Sequence, residues 1–106
     1  AHNAYREALQ IFSELGHRRG TARALEGYAV LALSEDRSER ALKLAAAASH
    51  LRRTISTPLT PAEQASLDQR LRPAWERLSE EAARSAWTEG YAMGMEKAVQ
   101  YSMDSI

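Results

Sequence analysis

The sequence predicts an all-α domain of about six helices with no strands. Three observations lead there. Apolar residues recur at spacings of three and four along most of the 106 residues, the period of one helix face. Alanine is used heavily, with Ala45-Ala46-Ala47-Ala48 as the extreme case; it loses no side-chain entropy in a helix and lets helices approach closely. Valine and isoleucine, the residues that favour pleated structure, are scarce.

The first expected helix covers 4–15, with Tyr5, Ala8, Leu9, Phe12 and Leu15 on one face and Gly16 as its C-terminal cap. His17 to Gly20 reads as a solvated connector. A second helix, from about Gly20 or Thr21 to Leu33, buries Ala22, Leu25, Tyr28, Ala29, Ala32 and Leu33. A polar turn follows, and Ser38 is the expected N-cap of a third helix that runs to about Thr54. Its buried candidates are Ala41, Leu42, Leu44, Ala45, Ala48 and Leu51. Connections this short pack neighbouring helices antiparallel.

Pro58 ends that pattern by pushing Thr57 out of helical geometry. Thr60-Pro61-Ala62-Glu63 then supplies the sharpest local signal: an N-cap, a proline at the first helical position and a glutamate completing a capping box. Leu67, Leu71, Ala74, Trp75 and Leu78 form the stripe of this fourth helix, which Pro73 is expected to kink or divide. Ser79 caps a fifth helix over 80–89 that Gly90 ends. Gly94 precedes a sixth, Met95 to about Met103, with Met95, Ala98, Val99 and Met103 turned inward.

The length fits one domain, 1–106. Lysine plus arginine and aspartate plus glutamate balance at 14 each, which argues against a nucleic-acid binder that relies on net basic charge. With no cysteine there is no disulfide, thiolate metal site or cysteine nucleophile, and cytoplasmic placement is expected. No apolar run approaches the ~20 residues of a membrane span. The chain opens on Ala1 and goes straight into helical pattern, which reads as a segment of a longer protein.

The second and third helices resemble a tetratricopeptide repeat. Leu25, Tyr28, Ala29 and Ala32 take the first-helix positions of that pattern, and Ala41, Ala45 and Ala48 those of the second. Ala45 stands where the pattern prefers a large aromatic, so that contact must be closer or filled from elsewhere. Ala8, Phe12 and Leu15 repeat the signature one repeat earlier; from Ala8 to Ala41 is 33 residues, near the ~34-residue period. The resemblance implies tetratricopeptide-like antiparallel hairpins, an α-solenoid fragment, over 1–55, with capping helices over 60–106.

A more particular resemblance runs through Gly27 to Ala32, Arg40 to Ala47, Pro58 to Glu63 and Ala86 to Val99. In that order they are similar to the C-terminal helical tail of large bacterial signalling ATPases and transcriptional regulators, where a tryptophan-x-x-glycine turn, matched by Trp87 and Gly90, leads to the last helix. Gly94 and Pro73 depart from the usual pattern. The resemblance implies a non-catalytic arm that senses a protein partner, or other domains of the parent chain, and biases a motor lying outside this segment.

Catalytic and metal-binding groups are not evident. No two of His2, His17 and His50 have the i, i+4 spacing of a zinc motif. There is no nucleophile elbow or glycine-rich phosphate loop, and the pairs Glu35-Asp36 and Glu80-Glu81 are sequence neighbours at helix ends. No enzyme activity and no cofactor are expected. The arginines at 18–19, 52–53, 70 and 72 read as solvated faces and helix-dipole partners. The candidate partner or ligand surface is Arg23, Glu26 and Tyr28 on the second helix, with Trp75, Trp87 and Tyr91 as aromatic anchors. A second copy of the chain is a further candidate partner. Two other readings stay open: a small-molecule-binding module whose helices enclose an apolar pocket, and, more weakly, a DNA-binding helical domain.

Overall fold

The structure, a computed structural model, describes residues 17–104 together with Glu7, Gln10 and Ile11, and side chains as far as Ser102. The expected first helix and its Gly16 cap lie outside the described residues apart from those three, as does the inward packing of Met103. Five helices follow: α1 (Arg18–Ser34), α2 (Ser38–Thr54), α3 (Pro61–Arg77), α4 (Glu80–Tyr91) and α5 (Met95–Asp104). No strand occurs among the described residues.

The alanine-rich helix α2 sits at the centre, in contact with all four others. Eleven of its 17 residues are buried, including Ala41, Leu42, Leu44 and all of Ala45 to Ala48. Residues this small leave room for helices on several sides. α1 covers one flank with Ala22, Leu25, Tyr28, Ala29 and Ala32. The connection at 35–37 is too short for anything but an antiparallel pair. α4 crosses another flank through Ala83, Ala86 and Gly90. α5 adds Ala98 and Val99, and α3 adds only Leu71 and Ala74.

Several ends form as their residues dictate. Thr60 Oγ1 accepts from the Glu63 N–H, and Glu63 Oε1 accepts from the Thr60 N–H at 3.0 Å, closing the capping box. Ser79 caps α4 through the Ala82 N–H. The Gly94 carbonyl accepts from the Ala98 N–H at 2.9 Å, so the α5 ladder begins at Gly94.

Other ends differ from expectation. α1 begins at Arg18, because His17 Nδ1 accepts from the Gly20 N–H and caps it there. Arg37, not Ser38, holds the N-cap position of α2; Ser38 lies inside the first turn and is buried. Pro73 does not divide α3, which runs unbroken to Arg77. Its missing N–H would have served the carbonyl of Gln69, an exposed residue. Gly90 does not end α4: the helix continues to Tyr91, and Gly90 is buried where α4 crosses α2. The tryptophan-x-x-glycine segment is therefore helical throughout.

α1 and α2 both end in Schellman motifs built without glycine. Asp36 has φ 61°, with Asp36 N–H donating to Leu33 O and Arg37 N–H to Ala32 O. Ser56 has φ 55°, with Ser56 N–H donating to Arg53 O and Thr57 N–H to Arg52 O. Both residues sit in the left-handed region that favours glycine.

Candidate functional site

Glu26 projects from the middle of α1 toward the C-terminal end of α2, where it meets Arg52. Arg52 donates from Nε to Glu26 Oε2 at 2.6 Å and from Nη2 to Oε1 at 2.9 Å, a fork-to-fork pair. A third bond runs from Arg52 Nη1 to the Thr57 carbonyl at 3.2 Å, which ties the post-α2 connector to the helix. Both side chains are nearly buried, at 11% and 13% exposure. Arg52 is therefore not the solvated residue its place in a basic run suggests. Nothing local in the sequence couples it to Glu26, 26 residues earlier.

This pair forms part of the wall of a cavity of about 380 Å³, bounded by α1, α2, α3, α4 and the connector between α2 and α3. Ala45 lies on its α2 side, Leu67 and Leu71 on its α3 side, and Leu59 on the connector; the half-buried Trp87 of α4 faces them. Arg53 and Asp68 also line it, both exposed and of opposite charge. Asp68 accepts from Gln64 Nε2 at 2.8 Å.

The six surface candidates do not converge on one site. Glu26 and Trp87 share the cavity. Arg23 lies nearby in a shallower depression that also includes Glu26, Arg52 and Arg70. Trp75 is 42% exposed on α3, its ring 5.8 Å from that of Trp87. Tyr91 stands apart, stacked on His50 at 4.6 Å and accepting from Arg53 Nη1 at 3.4 Å. Tyr28 is no surface residue at all. It is 1% exposed, because α1 turns it onto the alanine face of α2 with Leu25 and Ala29.

Two clusters were not legible in the sequence as sites. Arg40, buried on α2, donates from Nη2 to the Ser102 carbonyl at 2.7 Å and from Nη1 to the Tyr101 carbonyl at 3.3 Å, with its guanidinium 5.0 Å from the Tyr101 ring. It supplies donors to the last turn of α5, whose carbonyls have no partner within the helix. Lys43 lies between Glu39 of its own helix and Glu89 of α4, each at 3.1 Å. Desolvation pulls its pKa down, but the bonds to Glu89 and Glu39 and the charge of Tyr101 outweigh it, so the net shift is upward. Spacing on one helix does not reveal either arrangement.

Among the described residues no group of three or more histidine, aspartate or glutamate side chains is placed to hold a metal ion. No helix among them is long and apolar enough to cross a membrane. No protein-family model, curated protein or solved structure matches the chain.

Proposed function

We propose that this domain is a non-catalytic, tetratricopeptide-like interaction arm of a bacterial multidomain regulator, and that a protein partner or another domain of the parent chain docks on α3. The resemblance of the α1–α2 hairpin and the tail to that class supports the reading. The observation that carries it is the exposure of α3. Only Leu71 and Ala74 of its 17 residues are buried, while Trp75 stands 42% exposed. Trp75 and Trp87 together form an aromatic pair at this face, and tryptophan is favoured at the centre of interfaces. That pair gives the face a stiff aromatic anchor.

Several arginines are already committed to carboxylates: Arg52 to Glu26, Arg77 to Asp36 and Arg84 to Glu80. That favours a protein partner over DNA. Photocrosslinking in the source cell tests the assignment. A benzophenone amino acid at position 75 is expected to give a discrete adduct, and the same probe at the exposed Thr88 of α4 none. Equal labelling from both positions, or none from position 75, would remove α3 as the docking face.

A further inference from the structure

We propose that the cavity bounded by α1, α2, α3, α4 and the α2–α3 connector is a binding site for an uncharged aromatic small molecule. Its volume of about 380 Å³ falls in the range, about 300–1,000 Å³, of pockets that hold small ligands. Its apolar lining is formed by Ala45, Leu59, Leu67, Leu71 and Trp87. The indole of Trp87 offers an aromatic wall, and aromatic rings prefer such a partner in offset or edge-on geometry.

Charge on the lining decides the class. Glu26 and Arg52 neutralise each other through two hydrogen bonds, and Arg52 is further engaged by Thr57. A charged ligand seated against Leu67, Leu71 and Trp87 would have to break this pair or hold its charge off at the exposed rim beside Arg53 or Asp68, and charge set against apolar side chains is costly. An uncharged ligand does neither. Arg53 and Asp68 carry opposite signs and are exposed, so they add no net charge to select an ion. Trp75 is not part of this lining, although α3 and Trp87 serve both the cavity and the docking face; small-molecule binding to the isolated domain is read without the partner, so it stands or falls apart from the docking proposal.

The probe is N-phenyl-1-naphthylamine, an uncharged aromatic fluorophore. Trp75→Phe leaves Trp87 as the sole tryptophan, since the chain has two. Titration of that variant is expected to give saturable one-to-one binding with energy transfer from Trp87 and a rise in the thermal midpoint. Ala45→Leu fills the void from α2 and is expected to weaken binding about tenfold or more. Because that change could disturb the core, Ser49→Phe fills the cavity from an exposed lining position and is expected to act likewise. Thr88→Leu, outside the cavity, leaves binding unchanged. The anionic analogue 1-anilinonaphthalene-8-sulfonate is expected to bind about tenfold more weakly than the neutral probe. Non-saturable uptake, no uptake, or affinity unchanged from the parent in both filling variants would overturn the site. Preference for the anion would overturn the assigned ligand class.

Discussion

Gly90 packs directly against the backbone of Lys43: a Cβ placed on Gly90 would lie 2.2 Å from the Lys43 carbonyl oxygen. This is a helix crossing made possible by a missing side chain, and the obstructing atom is backbone that cannot swing aside. Gly90→Ala is therefore expected to push α4 off α2 and cost about 3 kcal/mol, the upper part of the usual overpacking range. Gly94 has nothing within 4 Å of the same hypothetical atom, so Gly94→Ala is expected to stay within about 0.5 kcal/mol. Urea denaturation of the pair checks this. Equal stability of the two variants would mean that the close crossing is not present in solution.

Arg40→Ala should remove the donors that hold the last turn of α5. Hydrogen bonds to a charged group are worth about 1.5–3 kcal/mol each, and the expected total loss is at the upper end of that range. Arg40→Lys is expected to recover little, because a single ammonium cannot reproduce the planar fork that reaches two carbonyls. Hydrogen exchange across 95–104 gives the readout. Uniform loss of protection over the whole chain, with none specific to α5, would count against this role.

Glu26→Ala leaves the Arg52 guanidinium nearly buried without its carboxylate. The expected cost is about 3 kcal/mol, the lower end for breaking a buried pair. The double variant Glu26→Ala with Arg52→Met is expected to be more stable than Glu26→Ala alone. Strict additivity of the two single changes would show that the side chains are not coupled.

Ser56 occupies left-handed backbone at φ 55°. That conformation costs a side-chain-bearing residue about 1–2 kcal/mol, partly offset in a Ser56→Gly variant by the looser unfolded chain. The net expectation is stabilisation of about 0.5 kcal/mol or more, read as a raised thermal midpoint. A lowered midpoint would refute the assigned turn.

Two groups give stability a pH dependence of opposite sign. Lys43 is raised above its ordinary 10.5, so its contribution is full below that pH and is lost as pH rises through the folded-state value. Lys43→Met should flatten the alkaline limb. Glu63 is lowered below its ordinary 4.5, first by the Thr60 backbone bond and then by the Thr60 hydroxyl. Its contribution is present above pH 4.5 and fades as pH falls through the lower folded-state value. Glu63→Gln keeps an acceptor for the Thr60 N–H, so its acid limb is expected to be flatter than that of the parent. Superimposable pH profiles of parent and variant would remove the corresponding contribution.

The Thr60-Pro61-Ala62-Glu63 box and the Ser79 cap were legible because every atom they need lies within one turn of chain. The buried faces of α1 and α2 were legible because Leu25, Ala29, Ala41, Leu44 and Ala48 recur with the helical period. Gly90 misled for an instructive reason. A glycine after a helical run satisfies the local rule for a C-terminal cap, yet here it serves an approach to Lys43 that no local rule contains. Tyr28 was read both on the buried stripe and beside Arg23 and Glu26 on the candidate surface, and its position on the stripe sent it to the core.

Sequence by itself determined the helical class, the buried stripes of α1 and α2 and the caps that start α3 and α4, since period and capping are short-range properties of the chain; that α2 lies at the centre came from the packing. Tertiary structure alone decided that Glu26 meets Arg52, that Arg40 serves the end of α5, and that Ala45, Leu71 and Trp87 line one cavity. Each of those joins residues tens of positions apart, and which faces meet depends on how helices pack across alanine, a matter of shape between elements that no single element encodes.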